Sequence, residues 1–259
     1  MTVHKLKCAV LAVFASAVGV AFGDIISPVE SAAENTAAIQ AAIDAAGTGG
    51  TVELGAGTFE IDAQLLVANG VTLVGQGRAL TILKLVPQTP GADTRCATVS
   101  GGAKLVGLTL TGGHIRKQWS KGAGVFVEDG TISWCCVTNN LLGDASWQGT
   151  GCNNMTGAGI YIKKGTVDHT IIANNGAYAP GGGSSSGAGL GIMELTGPVC
   201  VDACLICGNV VSGSGGGIAR LGKMLVEKAE ADAVLRRRQL DREIRRHLAG
   251  AAHIRRMRE

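Results

Sequence analysis

Short runs in which apolar and polar residues alternate, each closed by glycine or asparagine, recur through the middle of the chain. In Val125 and Val127, Ile160 and Ile162, and Leu190 and Ile192, the apolar side chains fall at every second position. That period of two predicts strands. A second short strand follows a Gly-Thr step, at Ile132 and Val167. A third holds Val137, Ile172 and Ile206, just before a turn containing asparagine. Within these units no segment has the period of a helix.

The runs belong to one repeated unit. The stretch 122–140 matches 157–175, recurs with an insertion as 187–209, and begins again at Gly215. The starts lie 35, 30 and 28 residues apart, a period that marks a solenoid, a propeller or an array. Propeller blades need four longer strands, and ankyrin or leucine-rich units need helical segments. Three short strands and three turns per unit predict an all-β fold, a right-handed parallel β-helix over residues 47–218. Its coils stack at the strand spacing of about 4.7–4.9 Å, so equivalent positions sit above one another. Glu128 and Lys163 should then be neighbours on an outer face. Cys135, Thr170 and Cys204 should share one inward column. Asn139 and Asn140, Asn174 and Asn175, and Asn209 should form a side-chain ladder and tolerate left-handed backbone.

Before the first coil the period changes. In 35–46, Ile39 and Ile43 are one helical turn apart, and Gly47 is a natural stop. This helix, followed by Gly49-Gly50-Thr51-Val52-Glu53-Leu54 and by Gly70-Val71-Thr72-Leu73-Val74-Gly75-Gln76-Gly77-Arg78, resembles the opening of pectate-lyase-like proteins. The resemblance covers roughly residues 35–218 and implies that the helix plugs the first coil. It also implies contact with polysaccharide. The fold hosts many activities, so the resemblance alone fixes none. Hydrolases of this kind use clustered aspartates with Gly-His-Gly and Arg-Ile-Lys segments, whereas here Gly113, His114, Ile115, Arg116 and Lys117 run together. The lyases use a carboxylate cluster on Ca2+ beside a basic residue, and no dense acidic cluster is legible. No catalytic residue is carried over, and whether the chain is an enzyme stays open.

The ends differ from the middle. Residues 1–23 read as a signal peptide, with Lys5 and Lys7 before an apolar run and small residues ahead of Asp24. A secreted or cell-envelope protein follows, with no transmembrane span in the mature chain. Residues 24–46 hold the capping helix. The formal charge of +3 averages unlike parts. Residues 24–218 carry nine Lys/Arg against fourteen Asp/Glu, and 219–259 carry twelve against six. The acidic body gives no electrostatic reason to expect nucleic acid. The tail, 219–259, reads as a basic helix with Leu240, Ile244, Leu248 and Ala251 on one face. Either it caps the last coil or it is a truncated or out-of-frame end.

Candidate chemistry comes from the rows. Ser133, Asp168 and Asp202 align on successive coils and should point outward. Two carboxylates one coil apart repel, raise a pKa or capture a cation such as Ca2+; as solvated acids they would do none of these. His169, beside Asp168, offers acid–base assistance. Trp134 and His169 in one outward row, and Phe126 and Tyr161 in another, offer rings for sugar stacking or ordinary face packing. Cys200, Cys204 and Cys207 have half of a zinc spacing, but no matching pair lies elsewhere, so no resident metal or cofactor is expected. Two functions follow from different classes. One is a secreted or cell-surface module that contacts polysaccharide or serves as an adhesin-like stalk. The other is a polysaccharide-degrading lyase or hydrolase of the pectate-lyase type.

Overall fold

The computed structural model describes residues 25–86, 94–117, 119–143, 155–179, 184–213 and 215–220. The leader, Cys152 and the tail beyond Arg220 lie outside the described residues. One helix, α1 (Ala32–Ala45), opens the fold. Ser31 caps it by accepting the Glu34 amide at 3.3 Å, satisfying one of the free donors of the first turn. Ile39 and Ile43 are buried in the main core, so the helix closes the first coil as expected.

Six coils follow, built from parallel sheets. Sheet A stacks Thr51–Leu54, Thr72–Gly75, Ala103–Val106, Gly130–Ser133, Gly165–Asp168 and Val199–Asp202. Sheet B stacks Gly57–Ile61, Thr81–Leu85, Thr109–Thr111, Cys136–Thr138, Ile171–Ala173 and Leu205–Cys207. Sheet C stacks Leu65–Val67, Ala97–Val99, Val125–Val127, Ile160–Ile162, Leu190–Ile192 and Ile218–Arg220. The chain is a right-handed parallel β-helix. The repeat alignment is the register: Ile132 pairs with Val167 and Val167 with Val201, while Val137 pairs with Ile172 and Ile172 with Ile206. These columns, with Val125, Ile160 and Leu190, fill the interior.

Two expectations need correction. The coils are not limited to three strands, because a fourth sheet, D, adds His114–Ile115, Leu141–Leu142, Gly176–Ala177 and Val210–Val211. A fifth, E, pairs Met155–Thr156 with Ser185–Ser186. His114 is thus in a strand, and its ring Nε2 lies 3.1 Å from the Gly143 carbonyl. Ala219 and Arg220, assigned to the tail by composition, instead extend the last strand of sheet C.

The asparagine turn between sheets B and D divides its work. Asn139 and Asn174 take the left-handed backbone, with φ of 54° and 56°, and Gly208 does so in the next coil. Asn140, Asn175 and Asn209 form the ladder: the Asn140 amide nitrogen donates to Asn175 Oδ1 and that of Asn175 to Asn209 Oδ1, each at 3.0 Å, while that of Asn209 donates to the Ile172 carbonyl at 2.8 Å. Asn140 and Asn175 are buried between the main core and a smaller one made by Ile115, Leu142, Met155 and five alanines. Each amide must therefore be satisfied internally. The nitrogen of Asn175 also donates to the Val137 carbonyl at 3.0 Å, and its oxygen accepts the Asn140 backbone amide at 3.1 Å. The second glycine of each Gly-Ala-Gly has room for no side chain: a Cβ on Gly124 would lie 2.4 Å from the Gly159 carbonyl oxygen, and one on Gly159 2.6 Å from that of Gly189. A Cβ on Gly159 would lie 2.8 Å from the Asn175 amide nitrogen, and one on Gly124 would lie 2.7 Å from that of Asn140.

The expected cysteine column is also present. Cys135 and Thr170 are fully buried. The Thr170 hydroxyl donates to the Asp168 carbonyl at 2.8 Å, which satisfies this buried group. All six described cysteines are free. Cys135 and Cys204 lie two coil steps apart, about 9–10 Å, beyond the reach of a disulfide. Cys200 stands on the outside of sheet A and Cys207 on the outside of sheet B, both exposed. The Cys204 sulfur turns instead toward the Val167 carbonyl at 3.4 Å. The three do not converge.

Two expected outcomes follow. Asn175→Ala strands donors and acceptors on both neighbouring coils and should cost about 3 kcal/mol in denaturant unfolding. Asn174→Gly should stay within about 1 kcal/mol of wild type; equal losses from both would remove the ladder from the account. Burial pushes the Cys96 and Cys135 thiols up to about 12 from an ordinary 9.0. Their folded pKa is raised, so the stability from keeping them neutral is intact below 9.0 and is lost as pH climbs toward about 12. Alkylation of the native protein near neutral pH, read by peptide mass, should mark Cys200 and Cys207 and spare Cys96 and Cys135.

Candidate functional site

The outer faces of the β-helix carry two clusters, and they differ in charge. The first lies along sheet C. Phe126 pairs with Tyr161 in the register, and their rings stack with centroids 5.4 Å apart at 10°. The Arg95 guanidinium sits 4.9 Å over the Phe126 ring, and the Lys163 ammonium 5.7 Å from it. Such placements suit the attraction of cations to a ring face. Burial draws the Arg95 pKa down from its ordinary value, but an arginine remains cationic under these conditions. Glu128 and Lys163 are neighbours as the repeat predicts, 3.9 Å apart.

A groove of about 540 Å³ opens beside Phe126. Arg95, Lys117, Trp119, Ser120 and Lys121 line it, together with Gln64 and Thr94. Trp119 is 61% exposed. No aspartate or glutamate is among the described residues of the lining. Basic charge, one flat exposed indole and a second ring in one concave surface form a place for an anionic, partly apolar chain.

Tyr161 is not part of that open surface. It points away from the core, as the alternation requires, yet it is fully buried. Lys121, in the connection ahead of Val125 and bridged to Thr156 of the next coil, lies over it: the Lys121 ammonium is 5.1 Å from the ring centroid and ion-pairs with Glu194. Burial and then the Glu194 charge push the phenol well above its ordinary range. No hydrogen bond of ordinary geometry reaches its oxygen. Tyr161 therefore cannot stack on a sugar in this conformation.

The second cluster occupies the corner between sheets A and B. Ser133 pairs with Asp168, and Asp168 with Asp202, all on the outside. The Ser133 hydroxyl donates to the Asp168 carboxylate. His169 Nδ1 lies 4.0 Å from the same carboxylate. Trp134, 52% exposed, stacks on His169 with centroids 4.3 Å apart at 13°. Arg78 reaches this corner and donates to the His169 carbonyl at 2.8 Å. Among the described residues no group of three or more His, Cys, Asp or Glu is placed to hold a metal ion. The structure thus brings Asp168, Asp202, His169 and Trp134 together, and separates them from Phe126.

Arg95, Trp119 and Lys121 escaped the sequence reading. Lys121 directly precedes the repeat start at Gly122, and Arg95 stands two residues before Ala97, the register partner of Val125. Aligning the residues ahead of each sheet C strand would have found both.

The fold and its outer groove define a pectate-lyase-like β-helix. Residues 29–178, more than half of the chain, match the family described as Rhamnogalacturonase A/epimerase, pectate lyase-like, and the chain belongs to that family. No curated protein and no solved structure matches it. Among the described residues no helix is long and apolar enough to cross a membrane.

The buried phenol supplies a check on this packing. Removing an unpaired hydroxyl should be neutral or stabilising. Tyr161→Phe should leave the melting temperature unchanged or raise it, whereas a loss above about 1 kcal/mol would reveal a bond to Glu194.

Proposed function

We propose that this chain is an exported or cell-surface β-helix module that holds an acidic polysaccharide in the groove along sheet C. The observation that carries the reading is the lining itself, in which Arg95 and Lys117 stand beside Phe126 and Trp119 with no carboxylate among the described lining residues, while the third cation, Lys121, is paired with Glu194. Uronate carboxylates would pair with the cations, and the apolar face of a sugar ring would lie on an aromatic one. Membership in a family described by a rhamnogalacturonase supports a pectic ligand. An adhesin-like stalk would use the same regular scaffold without needing the groove.

The enzymatic reading rests on the family description. A lyase of this kind would need a carboxylate cluster for Ca2+ beside a basic residue, and the described lining offers basic residues without a carboxylate. Titration calorimetry with oligogalacturonate tests binding. The wild type should bind, more weakly as salt rises, and Arg95→Gln and Lys117→Ala should each weaken binding several-fold. Equal affinity in the variants would remove the groove from the proposal. Incubation with the same polymer, with and without Ca2+, followed by ultraviolet absorbance of unsaturated products, separates binding from lyase turnover.

A further inference from the structure

We propose a second glycan-binding platform, for neutral sugars, at the corner where sheet A turns into sheet B. It is independent of the groove on sheet C and would stand if the groove bound nothing.

The backbone at this corner is the first observation. Gly107, Trp134, His169 and Ala203 occupy one column, and all four have left-handed φ, at 67°, 55°, 45° and 49°. For residues other than glycine that conformation costs roughly 1–2 kcal/mol, which asparagine offsets best through its own backbone contacts. The neighbouring left-handed column, at the sheet B to sheet D turn, follows this rule with Gly112, Asn139, Asn174 and Gly208. The sheet A corner instead carries an indole and an imidazole. Folding stability does not select a half-exposed tryptophan at such a position.

The second observation is shape. Trp134 and His169 lie nearly parallel, 4.3 Å apart at 13°, and form one flat two-ring step. Gly107, the residue before Trp134 in the column, has no side chain to cover the indole. Arg78 fixes the turn from the sheet B side through the His169 carbonyl. Asp168 holds its own place by accepting the Ser133 hydroxyl.

The third observation is charge. Ser133, Asp168 and Asp202 precede the rings in the aligned strands, and Thr131 pairs with Thr166 two residues further back on the same outer face. Carboxylates and hydroxyls beside an aromatic step can bond the vicinal hydroxyls of a sugar whose apolar face rests on the rings. The same carboxylates repel a uronate. This corner therefore suits uncharged pyranose or furanose units, the opposite of the basic groove.

The experiment is titration calorimetry on the full chain with hexasaccharides of galactan, cellulose and arabinan, and with oligogalacturonate as the charged comparison. At least one neutral hexasaccharide should bind. Trp134→Asn, which suits left-handed backbone, should weaken it roughly tenfold or more while uronate affinity is unchanged. His169→Phe keeps the stack and should keep the binding. Should Trp134→Asn not fold, Trp134→Phe carries the test, with a several-fold loss expected. Failure of all three neutral ligands to bind at millimolar concentration would overturn the proposal. So would neutral binding that survives Trp134→Asn, since that residue would then serve packing alone.

Discussion

Stacking coils at a fixed spacing of about 4.7–4.9 Å forces whatever occupies one position to be tolerated directly above and below itself. A polar group that is buried under this rule must find its partner in the next coil. The Asn140–Asn175–Asn209 ladder is the place where the constraint is sharpest, because two of its amides are buried between two apolar cores. Each donates along the stack and back to a sheet B carbonyl. Glycine at Gly124, Gly159 and Gly189 answers both to the stacked backbone and to the ladder, since a Cβ there would press first on the next coil's carbonyl oxygen and then on an asparagine amide. Coil stacking thus constrains both halves of the repeated motif.

With the interior committed to columns of aliphatic, small and asparagine side chains, ligand contact is left to outward rows and to connections between sheets. Outward rows on sheets A and C are parallel ribbons of nearly equal spacing, which suits a linear ligand that also repeats. Connections break the monotony. The one ahead of the third-coil strand on sheet C supplies Lys117, Trp119 and Lys121, and the same region shields Tyr161. The corner after sheet A supplies Trp134 and His169. The two clusters have opposite electrostatic character although they sit on one scaffold.

The fold was legible because its signal is the repetition of a two-residue period. The columns led by Ile132, Val137 and Val125 could be aligned by eye, and they are the register of the structure. Sheet D was not legible, since strands of two residues such as Gly176–Ala177 are too short to carry a period. The placement of Ser133, Asp168 and Asp202 on one outer line followed from the same alignment. Exposure did not. Alternation says only that Tyr161 points away from the core, and what then covers it depends on the connection through Lys121 and Thr156. The groove is not legible in the repeat itself, because its cations Arg95, Lys117 and Lys121 come from the segments ahead of the sheet C strands, outside the repeated unit.

The central functional claim is that an acidic glycan lies along sheet C. Its most direct measurement is nuclear magnetic resonance of the labelled protein during titration with oligogalacturonate. The account predicts that the Trp119 indole, the Phe126 ring and the Arg95 side chain shift together and saturate with one affinity. Shifts confined to other faces, or none at saturating ligand, would contradict it.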